Sequence, residues 1–357
     1  MSSIKNFSFI LIIWAAAFGF VFIVFEAGLR MVKSSDEWNK AHDINILRNV
    51  EYKYDLNDIY ESDNKIVDYI RNEFGLRDNC SSPQQIDILT IGGSTTDQRF
   101  VVFEDTFQTV LQKLLSERAN EKVCVSNAGL DGHSTFGHVR SFEVWFPLIP
   151  NLAPEYVLLY IGVNDVSSDG PNIGFDQNGA GTIKGFLKGL AVVRMIFPLY
   201  RFIRDGWTNR RIPYAGHHPT KPKDADYTVL DLNDQTKMKS KAYVEAFKIR
   251  LQSLLTSISK MGSSPICVTQ PHLFMRNIDG VPRGLPINDE FSGLDYDYSI
   301  KMLNEAMVDL CGWKNTIDIH NAVFEEKHFY DVVHTTDLGS RYIGELIFNG
   351  MKEKILQ

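Results

Sequence analysis

Ile86-Asp87-Ile88-Leu89-Thr90-Ile91-Gly92-Gly93-Ser94-Thr95-Thr96-Asp97 is the stretch that decides the fold. A short apolar run, bounded by two glycines, has the length and composition of a strand. The glycines permit a tight turn, which carries the Ser94 hydroxyl to the strand's carboxyl end. The segment after it, Asp105 to Ala119, places Phe107, Val110, Leu111, Leu114 and Leu115 at helical spacing, with Asp105 or Thr106 as its cap.

The alternation continues along the chain. Val123–Ser126 reads as a strand and Phe136–Phe146 as a helix, and Tyr156–Ile161 is almost continuously apolar, as a strand buried on both faces must be. A long amphipathic helix is expected near Lys237–Met261, with Tyr243, Phe247, Leu251, Leu254, Leu255 and Ile258 on its apolar face. The strand Pro265–Thr269, a helix near Tyr298–Leu310, the strand Thr316–Ile319 and a last helix near Leu338–Met351 complete the pattern. Strands separated by helices mean an α/β three-layer sandwich, with a parallel sheet of about five strands and helices on both faces. In such sheets, ligands bind beyond the carboxyl ends of the strands.

Composition bounds the function. The chain has 357 residues, with 37 Lys+Arg against 44 Asp+Glu and a net charge of −7. This acidic balance argues against a nucleic-acid binder, and 44% hydrophobic content excludes general disorder. Four cysteines exclude a disulfide-built mini-fold and form no zinc spacing. No metal or cofactor is expected. Phe7–Phe25 is an uncharged run of about nineteen residues, long enough for one span, and it reads as an uncleaved signal-anchor transmembrane helix rather than a cleaved signal peptide. Lys5 on one side and Arg30 with Lys33 on the other nearly balance. The short N-terminal tail therefore sets the expectation that the large domain lies outside the cytoplasm.

Three regions are expected: an anchor at 1–34, a polar stalk and domain edge at 35–85, and the catalytic domain at 86–357 with an insertion at about 168–235. In the stalk, Gly75 reads as a turn glycine and Arg77 as a solvated charge. Within the insertion, Phe186–Ile203 is apolar and basic, which suits a buried helix, a lid over the site or a piece lying on the membrane.

Four loops following strands, or near the C-terminus, carry reactive residue types. Gly92-Gly93-Ser94-Thr95 offers a hydroxyl, and Asn127-Ala128-Gly129-Leu130-Asp131-Gly132 offers glycine N–H groups. Gly162-Val163-Asn164-Asp165 offers a neutral amide donor suited to a developing oxyanion. In Asp331-Val332-Val333-His334, the spacing lets a carboxylate take the Nδ1 proton, leaving Nε2 as a base toward a serine. Each loop alone has an ordinary reading as a glycine turn, an Asx turn or a cap.

Together and in this order, over roughly residues 86–350, the four blocks resemble the SGNH (GDSL-type) hydrolases, in their membrane-anchored bacterial form. The resemblance implies a flavodoxin-like sheet and a serine esterase forming an acyl-enzyme. Ser94 would be the nucleophile, His334 the base and Asp331 its orienting partner. The Ser94 N–H, the Gly132 N–H and the Asn164 side chain would form the oxyanion hole. Gly132 matches the family glycine better than Gly129, being the second glycine of its block. The chain departs from the family where Gly-Ser-Thr replaces Asp-Ser-Leu and where Thr335 follows the histidine in place of proline. The implied substrate is an O-acyl ester, foremost an O-acetyl ester, of a carbohydrate or lipid. An O-acyltransferase acting on a surface polysaccharide and a non-catalytic ligand-binding relative are the alternatives.

Other residues near strand ends are secondary candidates. Arg99 and Arg276 suit a substrate acid group, Gln270 suits a pocket wall or a plain loop, and His133 and His138 suit core or site. For the cysteines, Cys80–Cys124 with Cys267–Cys311 is the pairing that neighbouring elements favour, against buried free thiols.

Overall fold

The computed structural model describes residues 14, 17, 19–28, 38, 41–57, 59–166, 221–287 and 291–354. About half of the expected anchor over Phe7–Phe25 lies outside these residues, as does most of the insertion, including Phe186–Ile203. Among the described residues, no helix is long and apolar enough to cross a membrane.

Helical residues 19–28 and a short turn of helix at Ala41–Ile44 precede an antiparallel hairpin, β1 (Val50–Asp55) and β2 (Ile66–Arg71). The alternation is visible in both strands: Val67, Tyr69 and Arg71 point inward while their neighbours are exposed. Then come β3 (Ile88–Gly92), a one-turn helix α1 (Ser94–Asp97), α2 (Phe107–Ala119), β4 (Val125–Asn127), α3 (Thr135–Val144) and β5 (Tyr156–Tyr160). After the insertion the chain forms α4 (Asp234–Met261), β6 (Ser264–Val268), a small hairpin of β7 (Met275–Ile278) and β8 (Val281–Gly284), α5 (Gly293–Cys311), β9 (Thr316–Ile317) and α6 (Asp337–Lys354).

The central sheet has five parallel strands in the order β4-β3-β5-β6-β9. The chain leaves β3 for β4 on one side and returns to β5 on the other, so the connections diverge at the carboxyl end of β3. That is the switch point where such sheets bind ligands. Each strand sends alternate side chains to opposite faces. Leu89, Ile91, Val157 and Leu159 pack with Phe247, Leu251, Leu254, Ile300 and Met307 on one face. Ile88, Leu158, Ile266 and Val268 pack with Phe107, Leu111, Ile343 and Ile347 on the other. Thr106 caps α2 by accepting from Thr109 N–H, and Ser134 caps α3.

Both cysteine pairs are disulfides, Cys80–Cys124 and Cys267–Cys311. Gly75 has the turn geometry expected of it, with φ +81°. Arg77 departs from expectation. Its side chain is buried because its guanidinium is needed inside: it donates to the carbonyls of Gln98 at 2.7 Å and Val101 at 2.8 Å.

Candidate active site

Ser94 opens α1, where the first N–H of a helix has no intrahelical acceptor. The turn before it needs its two glycines. A Cβ on Gly92 would lie 2.0 Å from Thr96 Oγ1, and one on Gly93 would lie 2.6 Å from Asn164 Nδ2. Glycine at 93 is thus what lets the Asn164 amide approach the Ser94 turn.

The Ser94 hydroxyl lies 2.7 Å from His334 Nε2, and His334 Nδ1 lies 2.7 Å from Asp331 Oδ2. Asp331 also accepts backbone N–H groups from Val333 at 2.8 Å and His334 at 2.7 Å. A carboxylate so held stays ionised and leaves Nδ1 as the protonated nitrogen, so Nε2 faces the serine as an acceptor. Burial favours the neutral form of Asp331, but its bonds to His334 and the His334 charge outweigh that and hold it below the ordinary carboxylate value. For His334, burial lowers the pKa, while the Asp331 bond and charge and then the Asp131 charge raise it; the net is above 6.5. The Tyr330 ring stacks on His334 with centroids 5.6 Å apart, and Tyr60 stacks on Tyr330 at 5.4 Å. Tyr60 is itself pinned by donating to Asp337 at 2.9 Å.

Ser94 and Asn164 line one open pocket with Gly93, Thr95, His133, Gly162 and Gln270. One N–H of the Asn164 amide donates to the His133 carbonyl at 2.8 Å, which fixes the amide's direction. Gly132 adjoins the pocket through His133 and has φ +76°, a left-handed conformation that glycine adopts without strain. Gly129, the alternative in that block, has its N–H engaged by Asn127 Oδ1 at 2.8 Å. Asp165, next to Asn164, accepts from Thr135 Oγ1 at 2.5 Å and Arg250 at 3.1 Å, joining the third block to the start of α3.

Several residues beyond the four blocks build the site. Gln270, following β6, accepts from Val163 N–H at 2.8 Å and donates to Thr95 Oγ1 at 2.8 Å, so it braces two blocks. Beneath α1, the fully buried Asp97 carboxylate accepts from Tyr69 OH at 2.7 Å and Arg71 Nη2 at 2.5 Å. Burial alone would raise the Asp97 pKa, but the Arg71 and Arg99 charges overcome it and hold it low. Arg71 also donates to the Gly129 carbonyl, tying β2 to the second block. Arg99 sits between Asp97 at 3.4 Å and Asp131 at 3.2 Å, and Arg276 pairs with Asp224 at 2.6 Å and Glu326 at 2.5 Å. Both guanidiniums are therefore compensated by carboxylates of the chain itself. His138 is buried, and His133 is held by Nε2 2.8 Å from the Ile44 carbonyl. His272, Asp297 and His320 converge beside Gln270, with one donor atom from each within 4.8 Å of the others. They are 25 and 23 positions apart in the chain, so no local spacing signals them.

No family model matches the chain, and no curated protein matches it. Among solved structures, it is similar to a catalytic variant of Axe2, an acetylxylan esterase from Geobacillus stearothermophilus. That match has 13% identity and a TM-score of 0.42, covering 74% of this chain and 93% of that one. A putative lipolytic protein of the G-D-S-L family from Desulfitobacterium hafniense is similar at 13% identity and TM-score 0.38, covering 74% and 98%. LAE5, an alpha/beta hydrolase enzyme from the metagenome of Lake Arreo, Spain, is similar at 13% identity and TM-score 0.40, covering 74% and 94%. Overlap at this level does not bear on what the chain does.

Proposed function

We propose that the chain is a serine ester hydrolase acting on O-acyl, foremost O-acetyl, esters of a carbohydrate or lipid. The carrying observation is the continuous line from Asp331 through His334 to the Ser94 hydroxyl, with 2.7 Å at each contact. A serine hydroxyl at its own pKa is a weak nucleophile, so His334 Nε2 takes the proton as Oγ attacks the ester carbonyl. The negative charge that develops on the carbonyl oxygen falls to the Ser94 N–H, the Asn164 amide and the Gly132 N–H, each such donor contributing about 2.7–4 kcal/mol in comparable sites. His334 then gives its proton to the departing alcohol. Water, deprotonated by the same nitrogen, releases the carboxylic acid and restores Ser94.

Ser94 lines the open pocket and the His334 side chain is 27% exposed, which favours catalysis over the binding-protein alternative. Two disulfides suit an extracytoplasmic domain. Anchoring is supported by the helical residues 20–25, all large and apolar and 42–68% exposed, a surface that water disfavours.

The test is p-nitrophenyl acetate hydrolysis by the full chain in detergent, beside Ser94→Ala, with longer acyl esters in parallel. The expected outcome is steady turnover that disappears in the variant and is fastest for acetyl. A burst of one equivalent followed by slow turnover would assign an O-acyltransferase instead. Turnover that survives in Ser94→Ala would remove the serine mechanism.

A further inference from the structure

We propose that His272, Asp297 and His320 form a divalent transition-metal site of zinc type, holding one ion per chain through two imidazole nitrogens and one carboxylate oxygen. The three residues arrive from separate elements at the carboxyl edge of the sheet: His272 after β6, Asp297 on α5 and His320 after β9.

The separation of His272 from Asp297 suits two ligands of one ion better than a direct hydrogen bond. His272 Nε2 stands 3.5 Å from Asp297 Oδ1, beyond the ordinary N–H···O range of about 2.7–3.2 Å. Two donors each about 2.0–2.1 Å from a tetrahedral ion lie roughly 3.3 Å apart, close to this separation. The His272 side chain is only 3% exposed, and its Nε2 has no hydrogen-bond partner. Such an orphaned buried nitrogen is costly unless something occupies the space before it.

The surrounding groups fit the same reading. His320 Nδ1 lies 3.0 Å from the Gln270 carbonyl, a partner that fixes the proton on Nδ1 and leaves Nε2 as the donor. Lys301 holds the other carboxylate oxygen, Asp297 Oδ2, at 2.8 Å, leaving Oδ1 turned to His272. Ligation through His272 Nε2 requires its proton on Nδ1, which ends the contact that Nδ1 accepts from Phe274 N–H. That contact is within hydrogen-bond range at 3.2 Å, so loading the site moves the proton from Nε2 to Nδ1 and gives up the Phe274 bond, a cost that the metal–nitrogen bond must offset. A donor set of two nitrogens and one oxygen selects zinc-like ions over the all-oxygen preference of calcium and magnesium, and three protein ligands leave a fourth position open.

The site also touches the pocket. Gln270 meets His320 through its carbonyl and braces Thr95 and Val163 through its side chain. An ion here would stiffen the wall of the pocket without contacting Ser94.

The experiment uses the full chain in detergent, stripped with chelator and titrated with Zn²⁺ alone by calorimetry, then loaded with Co²⁺ for its visible absorption. The expected result is one ion per chain, a four-coordinate cobalt spectrum and a raised melting temperature. His320→Ala and Asp297→Asn should each weaken Zn²⁺ by more than the roughly 10–100-fold that loss of an outer-shell partner costs. Lys301→Ala, which removes no ligand, should still bind. Ser94→Ala should bind as the parent does, so the outcome is separate from that of the esterase test. Absence of uptake, or uptake unchanged in a His320→Ala chain whose circular dichroism shows it folded, would overturn the proposal.

Discussion

His334 faces charges from several elements: Asp331 on its own turn, and Asp131 and Arg99 from the loops after β4 and β3. Because its pKa is raised above that of an ordinary histidine and only the neutral ring can take the Ser94 proton, the acid limb of kcat/KM is predicted at higher pH than an unperturbed histidine would give. Asp131 raises that pKa and Arg99 lowers it, so Asp131→Asn removes a raising charge and leaves Arg99 less compensated. The acid limb of Asp131→Asn should move to lower pH, read from pH–rate profiles of the two proteins. A limb that stays in place or moves upward would show that Asp131 does not act on the base. At this scale the sequence is informative about chemistry. Ser94, Asn164, Asp331 and His334 were each legible because the proposed reaction needs those residue types directly after strands or within one turn. Gln270 was legible only as a residue in the right loop. Its role as a brace depends on two blocks more than 100 positions away in the chain.

The β1–β2 hairpin shows how an element outside the sheet governs the site. Tyr69 and Arg71 reach from β2 under α1 to Asp97, and Tyr60, from the loop between the strands, backs the Tyr330–His334 stack. The sequence of 35–85 reads as polar because its apolar and aromatic residues alternate with charges, which averages them out. The alternation itself, in Val50-Glu51-Tyr52-Lys53-Tyr54-Asp55, was a strand signal. Removing the carboxylate from the buried pair leaves Arg71 uncompensated, and breaking a buried pair costs about 3–5 kcal/mol. Asp97→Asn is therefore predicted to lose about that much stability in urea denaturation, and to lose activity with it. A loss under about 1 kcal/mol would show that the hairpin is not locked through this pair.

Across the whole molecule, one disulfide ties the segment before β3 to the residue preceding β4 and the other ties β6 to the end of α5, and each joins residues 44 positions apart. Loops of that length correspond to about 4 kcal/mol of lost unfolded-state entropy in the chain-entropy model. With measured losses of about 2–5 kcal/mol per native bridge, the double variant Cys80→Ser with Cys124→Ser should melt at least about 3 °C lower. An unchanged melting temperature would mean that the bridge does not constrain the unfolded chain. The sequence by itself determined the five sheet strands, the helices between them and the four loops that carry the reactive groups. Those depend on periodicity and turn chemistry, which are local. Only the tertiary structure decided the cysteine pairing, the burial of Arg77, the hairpin's grip on Asp97 and the meeting of His272, Asp297 and His320. Each joins residues whose separation in the chain carries no periodic signal and whose proximity follows from how strands stack and helices pack across the sheet.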